Sequence, residues 1–124
     1  MKKSLFITLE FPPQKGGVAS YYYQVCENLA SDYIVVLANK TKNCQTFDQR
    51  QNFKIIRSPL LTRLARPNRI PFLPTLDLLL QVKRIYKIAK ANQIELIQVG
   101  NVLPLGILAM ILEKKYGIPY VVYT

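Results

Sequence analysis

Five short runs dominated by apolar residues set the main limit on what this chain can fold into. They cover residues 4–9, 33–38, 53–56, 94–99 and 119–124. A strand with one wet face alternates apolar and polar side chains. These runs are largely continuous, which is the mark of strands buried on both faces of a parallel sheet.

The segments between them suit helices. Over residues 18–30, Val18, Tyr22, Val25 and Leu29 recur at helical spacing and predict the inward face. Thr75 predicts an N-cap, with Asp77 in the first turn, for a helix reaching Asn92. Leu78, Val82, Ile85 and Ala89 form its inward stripe. Residues 104–116 are almost all apolar, and Gly117 stands where a helix C-cap is expected. Residues 39–52 are polar without a period and read as loop, and the prolines at 59, 67, 71 and 74 interrupt regular structure. The order is strand, helix, strand, short strand, helix, strand, helix, strand. It predicts an α/β fold, a Rossmann-like doubly wound parallel sheet with right-handed crossovers. Ligands bind such sheets at the C-terminal strand ends. Those ends carry residues 10–17, the loop after Ala38, and Gly100-Asn101. The sequence stops on its fifth strand, with no helix to complete the unit, and this reads as a domain cut short after Thr124.

Composition narrows the chemistry. There is no histidine among the 124 residues, so Ser-His-Asp triads and His-ligated metals are excluded within this chain. Cys26 and Cys44 have neither zinc nor redox spacing and read as lone thiols in a reducing cytoplasm. No metal site and no cofactor is expected. No apolar run is long enough to span a bilayer, which takes about 18 to 20 residues.

Charge is concentrated. Residues 50–90 hold ten basic side chains against Asp77 alone, so that segment carries +9 of a total of +10. Such a patch attracts phosphates, nucleic acid or an anionic membrane. A solvated helix face explains it equally well. Residues 60–73 mix Leu, Ile and Phe with Arg63, Arg66 and Arg69. With Lys83, Lys87 and Lys90 they predict peripheral contact with anionic lipid from the cytoplasmic side.

The first strand-to-helix loop, Phe11-Pro12-Pro13-Gln14-Lys15-Gly16-Gly17-Val18, holds the candidate chemistry. Gly16 and Gly17 let backbone approach a ligand, and the helix amides that follow favour a phosphate. Lys15 adds a point charge. The loop matches neither the dinucleotide fingerprint nor the P-loop, and a plain turn accounts for Gly-Gly equally well.

A strand followed by Phe-Pro-Pro, then Gly-Gly-Val at a helix start, resembles the opening of retaining, family-four-type glycosyltransferases of GT-B fold. Ile94-Glu95-Leu96-Ile97-Gln98-Val99 and Gly117-Ile118-Pro119-Tyr120-Val121-Val122-Tyr123-Thr124 are similar to later strands of that family. Glu95 stands in place of its frequent Asp, and Gln98 and Gly100 where a His is often found. The resemblance implies that residues 1–124 are the incomplete N-terminal, acceptor-side half of a two-domain enzyme. The partners it implies are a nucleotide-sugar donor and a glycan or lipid-linked acceptor. It puts Gly16 and Gly17 beside the donor diphosphate. The acidic donor-binding motif belongs to the other domain, so no catalytic residue is assigned here and no transfer is expected of the chain alone.

Four further residues are candidates for the acceptor side. Glu10 at the end of the first strand, Lys15, Tyr21 on the first helix and Asn101 after the fourth strand all fall near the expected cleft. Each also has an ordinary role available, as a solvated charge, an exposed ring or a helix cap. The alternative function is a stand-alone Rossmann-like module for a phosphorylated ligand or nucleic acid. No helix-turn-helix, RRM or zinc pattern supports nucleic acid.

Overall fold

A computed structural model describes residues 3–13, 15–29, 31–58, 74–100 and 105–122, with backbone alone for helical residues 74–79 and 105–107. Five strands form one sheet: β1 (Ser4–Thr8), β2 (Ile34–Asn39), β3 (Lys54–Ser58), β4 (Leu96–Val99) and β5 (Tyr120–Val122). Their spatial order is β3-β2-β1-β4-β5. Every neighbouring pair is parallel. The helices are α1 (Gly17–Glu27), α2 (Cys44–Gln49), α3 (Pro74–Ala91) and α4 (Leu105–Tyr116). The expected doubly wound parallel α/β sheet is the observed fold.

All five residues of β1 are buried, as are the first five of β2. Successive side chains point to opposite faces. Leu5 and Ile7 therefore join Val35, Leu37, Ile97 and Val99 under α3 and α4. Phe6 joins Val36, Phe11, Phe53 and the α1 residues Tyr22 and Cys26 on the other face. One continuous apolar strand thus serves two cores.

Three local expectations change. Residues 39–52 contain the helix α2 after Asn43, which takes a left-handed φ of 63°. Six residues make fewer than two turns, so no helical period develops in the sequence. The buried stripe of α1 is Ala19, Tyr22 and Cys26, and Val18 is exposed. Val25 and Leu29 pack only at its margin. α3 begins at Pro74, so Thr75 lies within the helix and is not its N-cap. Proline suits that first turn because its fixed φ is helical and the amide it lacks would have no helical partner. On α3, Val82, Ile85 and Ala89 are buried as expected, while the side chain of Leu78 is outside the described residues. α4 ends at Gly117, whose φ is 73° and whose N–H donates to the Glu113 carbonyl at 2.8 Å.

Candidate functional site

β1 and β4 are adjacent, but the chain leaves them toward opposite faces: β1 leads to α1, and β4 leads to α4. In open α/β sheets the C-terminal ends of such a strand pair are where ligands bind.

The β1 exit is tightly organised. The Thr8 hydroxyl donates to the Glu10 carbonyl at 2.9 Å and accepts the Glu10 N–H at 3.0 Å. Glu10 itself is half-buried. Phe11 then plugs into the core, 1% exposed, with its ring edge-on to Tyr23 and Phe47. Arg57 of β3 ties the loop down. Its guanidinium donates to the carbonyls of Pro12 and Asn39, the latter at 3.0 Å, and grips Asp48 of α2 with an Nη2–Oδ1 distance of 2.8 Å. The side chains of Arg57 and Asp48 are 7% and 18% exposed, so water screens the pair weakly. Sequence reasoning counted Arg57 with the anion-attracting charges, but in the fold it is spent internally.

The loop then opens to solvent. Lys15, Gly16, Gly17 and Val18 are all exposed. Gly16 has φ 145° and ψ 156°, a conformation reserved for glycine. A Cβ at Gly16 or Gly17 would meet no heavy atom within 4 Å, so space in front of both residues is free. Among the described residues, no side chain caps the start of α1, and no acid stands in its first turn. Its leading amides are therefore left to solvent or to a ligand.

At the end of β4, Gly100 continues the strand and its N–H donates to the Ile7 carbonyl at 2.8 Å. The Tyr22 hydroxyl donates to the Gly100 carbonyl. A Cβ on Gly100 would lie 2.8 Å from the Tyr22 ring and 3.1 Å from Thr8 Oγ1, so only glycine fits. Burial raises the Tyr22 pKa above the ordinary phenol value, and the Glu10 and Tyr21 charges raise it further.

A second polar strip lies at the ends of β2 and β3. The Asn39 side-chain amide donates to the Leu9 carbonyl at 2.8 Å. Among the described residues, Asn39 Oδ1, Thr41 Oγ1 and Ser58 Oγ are buried without a hydrogen-bond partner. Beside them a cavity of about 410 Å³ is lined by Lys40, Cys44, Asp48, Ile55 and Arg57.

Of the predicted site residues, Glu10, Lys15, Gly16 and Gly17 share one loop at the β1 exit, and Tyr21 is half exposed on α1 with its ring 5.7 Å from that of Tyr22. Asn101 lies outside the described residues, as do Arg63, Arg66 and Arg69. Sequence reasoning missed Thr8, Tyr22, Asp48 and Gly100 as organisers of the site. A glycine ending a strand was the available signal for Gly100. Helical spacing places Tyr22 on the inward face, but nothing local marks its contact with Gly100, 78 residues away.

The outer face of α3 exposes Lys83, Arg84, Lys87 and Lys90, and α4 adds Lys114 and Lys115. Among the described residues, no helix is long and apolar enough to cross a membrane.

No family model matches the chain. Over 114 residues, 89% of its length, it is 25% identical to the GDP-mannose-dependent alpha-(1-6)-phosphatidylinositol monomannoside mannosyltransferase of Mycolicibacterium smegmatis. The chain spans only 27% of that relative. It is thus similar to one segment of a glycosyltransferase.

Proposed function

We propose that this chain is the acceptor-side part of a glycosyltransferase that moves sugar from a nucleotide sugar to a glycan or lipid-linked acceptor. The single observation that carries the proposal is the similarity to a mannosyltransferase along nearly the whole chain. The β1 exit supports it: Gly16 and Gly17 leave open space before uncapped helix amides, which suits a diphosphate. In this reading those amides stabilise charge on the leaving diphosphate. Glu10, Lys15, Tyr21 and Asn101 line the acceptor side, holding a hydroxyl against the anomeric carbon. The donor pocket is supplied by a second domain, so the 124 residues alone turn over no donor.

The exposed cations of α3 and α4, with Leu80 and Met110 also exposed, favour docking on anionic lipid, where a lipid-linked acceptor resides. Binding to phosphatidylglycerol vesicles at low salt, lost at high salt, is expected. No binding at low salt rejects the membrane contact.

The main test is a titration of ¹⁵N-labelled chain with GDP-mannose and GDP. Amide shifts confined to Gly16, Gly17, Val18 and Glu10 are expected. Shifts confined to the α2 cavity, or none, would overturn the donor-side reading. Release of GDP from GDP-mannose by the chain alone would overturn the expectation that it is inactive by itself.

A further inference from the structure

The candidate site has two walls, the head of α1 and the end of β4 at Gly100. Backbone pairing fixes the second wall, because Gly100 extends the β1–β4 ladder through its bond to Ile7. The first wall has no such support. α1 follows a loop with two exposed glycines, and among the described residues no side chain caps it. One direct hydrogen bond joins the walls among the described residues, from the Tyr22 hydroxyl to the Gly100 carbonyl. The tyrosine ring is 6% exposed and lies tilted against Phe6, with centroids 5.4 Å apart. It is therefore a rigid strut with a polar tip. Its tip meets Gly100, whose missing Cβ is what allows the approach. Thr8, on the third side of that contact, holds Glu10 through both its backbone groups.

We infer that Tyr22 is a positioning residue that sets the gap between the α1 amides and the β4 exit. It acts through the backbone and touches no ligand. Tyr22 lies five residues beyond Gly17 on the same helix, about 1.4 turns. A displacement of its tip is therefore transmitted to the Gly16-Gly17 amides with little slack. The functional sense of this gap rests on reading those amides as the donor-phosphate site.

The test uses the full 124-residue chain, labelled with ¹⁵N, as wild type and Tyr22→Phe. The variant keeps the ring and removes only the hydroxyl. Two amides report on the walls: Gly100, bonded to Ile7, and Ser20, bonded to the Gly16 carbonyl at 3.1 Å. Val36, in the middle of β2, reports on the sheet at large. We expect hydrogen exchange about tenfold faster at Gly100 and Ser20, with Val36 changed less than about twofold. We also expect GDP to bind the variant about fivefold more weakly, read from the Gly17 and Val18 amide shifts. Equal acceleration at all three sites would make Tyr22 merely structural and overturn the inference. So would no acceleration at either wall. If Tyr22→Phe fails to fold, Gly100→Ala probes the same contact from the other side and must give the same local pattern. Absence of GDP-induced shifts in the wild type would defeat the donor-phosphate reading instead, while the exchange measurement still decides the role of the strut.

Discussion

The two faces of the sheet are packed by different chemistry. Under α3 and α4 the core is aliphatic, built from Leu, Ile, Val and Ala. Its Tyr86–Tyr116 ring stack, with centroids 3.7 Å apart, sits at the margin. Under α1 the core is rich in aromatic rings, and several end in a polar contact. Tyr22 reaches Gly100, Tyr23 reaches Gln51 at 2.7 Å, and the Phe11 ring lies beneath the Arg57 guanidinium. Aliphatic packing is non-directional and fixes a helix on a sheet to within its ridges and grooves. Hydrogen bonds and charged forks fix particular atoms. The α1 face is the one that feeds the candidate site, and there the loop backbone is pinned at Pro12, Asn39 and Gly100. Packing makes this domain stable, and the polar tips make one corner of it precise.

The largest test of that contrast is Arg57→Met. It leaves the Asp48 carboxylate poorly solvated and releases Pro12 and Asn39 together. Loss of about 3 kcal/mol is expected, in the range for breaking a largely buried pair, measured by urea unfolding. Arg57→Lys should recover less than half, because a lysine cannot grip carboxylate and carbonyls at once. A loss below about 1 kcal/mol for Arg57→Met would mean that the clamp is decorative and that both faces rely on packing alone.

Cys26 sharpens the same comparison through pH. It is fully buried under α1, and burial pushes its thiol up to about 12. The unfolded thiol loses its proton at the ordinary cysteine value, about 8.5, while the folded one keeps it. Above that value the unfolded state binds fewer protons, so stability falls as pH rises, by about 1.4 kcal/mol per pH unit until the folded thiol titrates. Below about pH 7 the group contributes almost no slope. Cys26→Ala should remove this component of the alkaline loss, as seen by comparing unfolding of the two proteins at pH 8 and pH 10. Identical alkaline slopes would show that the thiol is open to water.

Gly100→Ala should cost about 1 to 3 kcal/mol, the usual range for overpacking. The added methyl has to displace the Tyr22 ring or the Thr8 hydroxyl. Thermal melting measures it, and a cost below about 0.5 kcal/mol would mean that α1 rides loosely on the sheet.

How far these features were legible follows from their range along the chain. Strands and long helices were readable because burial on two faces, or on one stripe, leaves a repeating local pattern, as in Val82, Ile85 and Ala89. The Gly16-Gly17 loop was readable because glycine after a strand and before a helix is a local signal. The short helix α2 was missed because it buries little beyond Cys44, and Thr75 was misread because a good capping residue also fits inside a helix. The clamp and the strut were invisible for a different reason. Arg57 joins β3 to a carbonyl 45 residues earlier, and Tyr22 joins residues 78 apart. Such pairs depend on which strands become neighbours, and strand order is set by the assembled sheet.

The smallest expected effects on stability separate the two loop glycines. Gly16→Ala forces a side chain into a backbone conformation that L residues rarely adopt, and should cost about 1 kcal/mol. Gly17→Ala meets open space at an ordinary helical position, where alanine is the better helix former, so stability should stay level or rise by up to about 1 kcal/mol. Its methyl nonetheless enters the free volume in front of the amides. If that volume is held for a diphosphate, Gly17→Ala should weaken GDP binding at least tenfold with no loss in melting temperature. If binding survives while stability is unchanged, the space before Gly17 is only solvent, and the precision of the α1 face serves some ligand other than a nucleotide sugar.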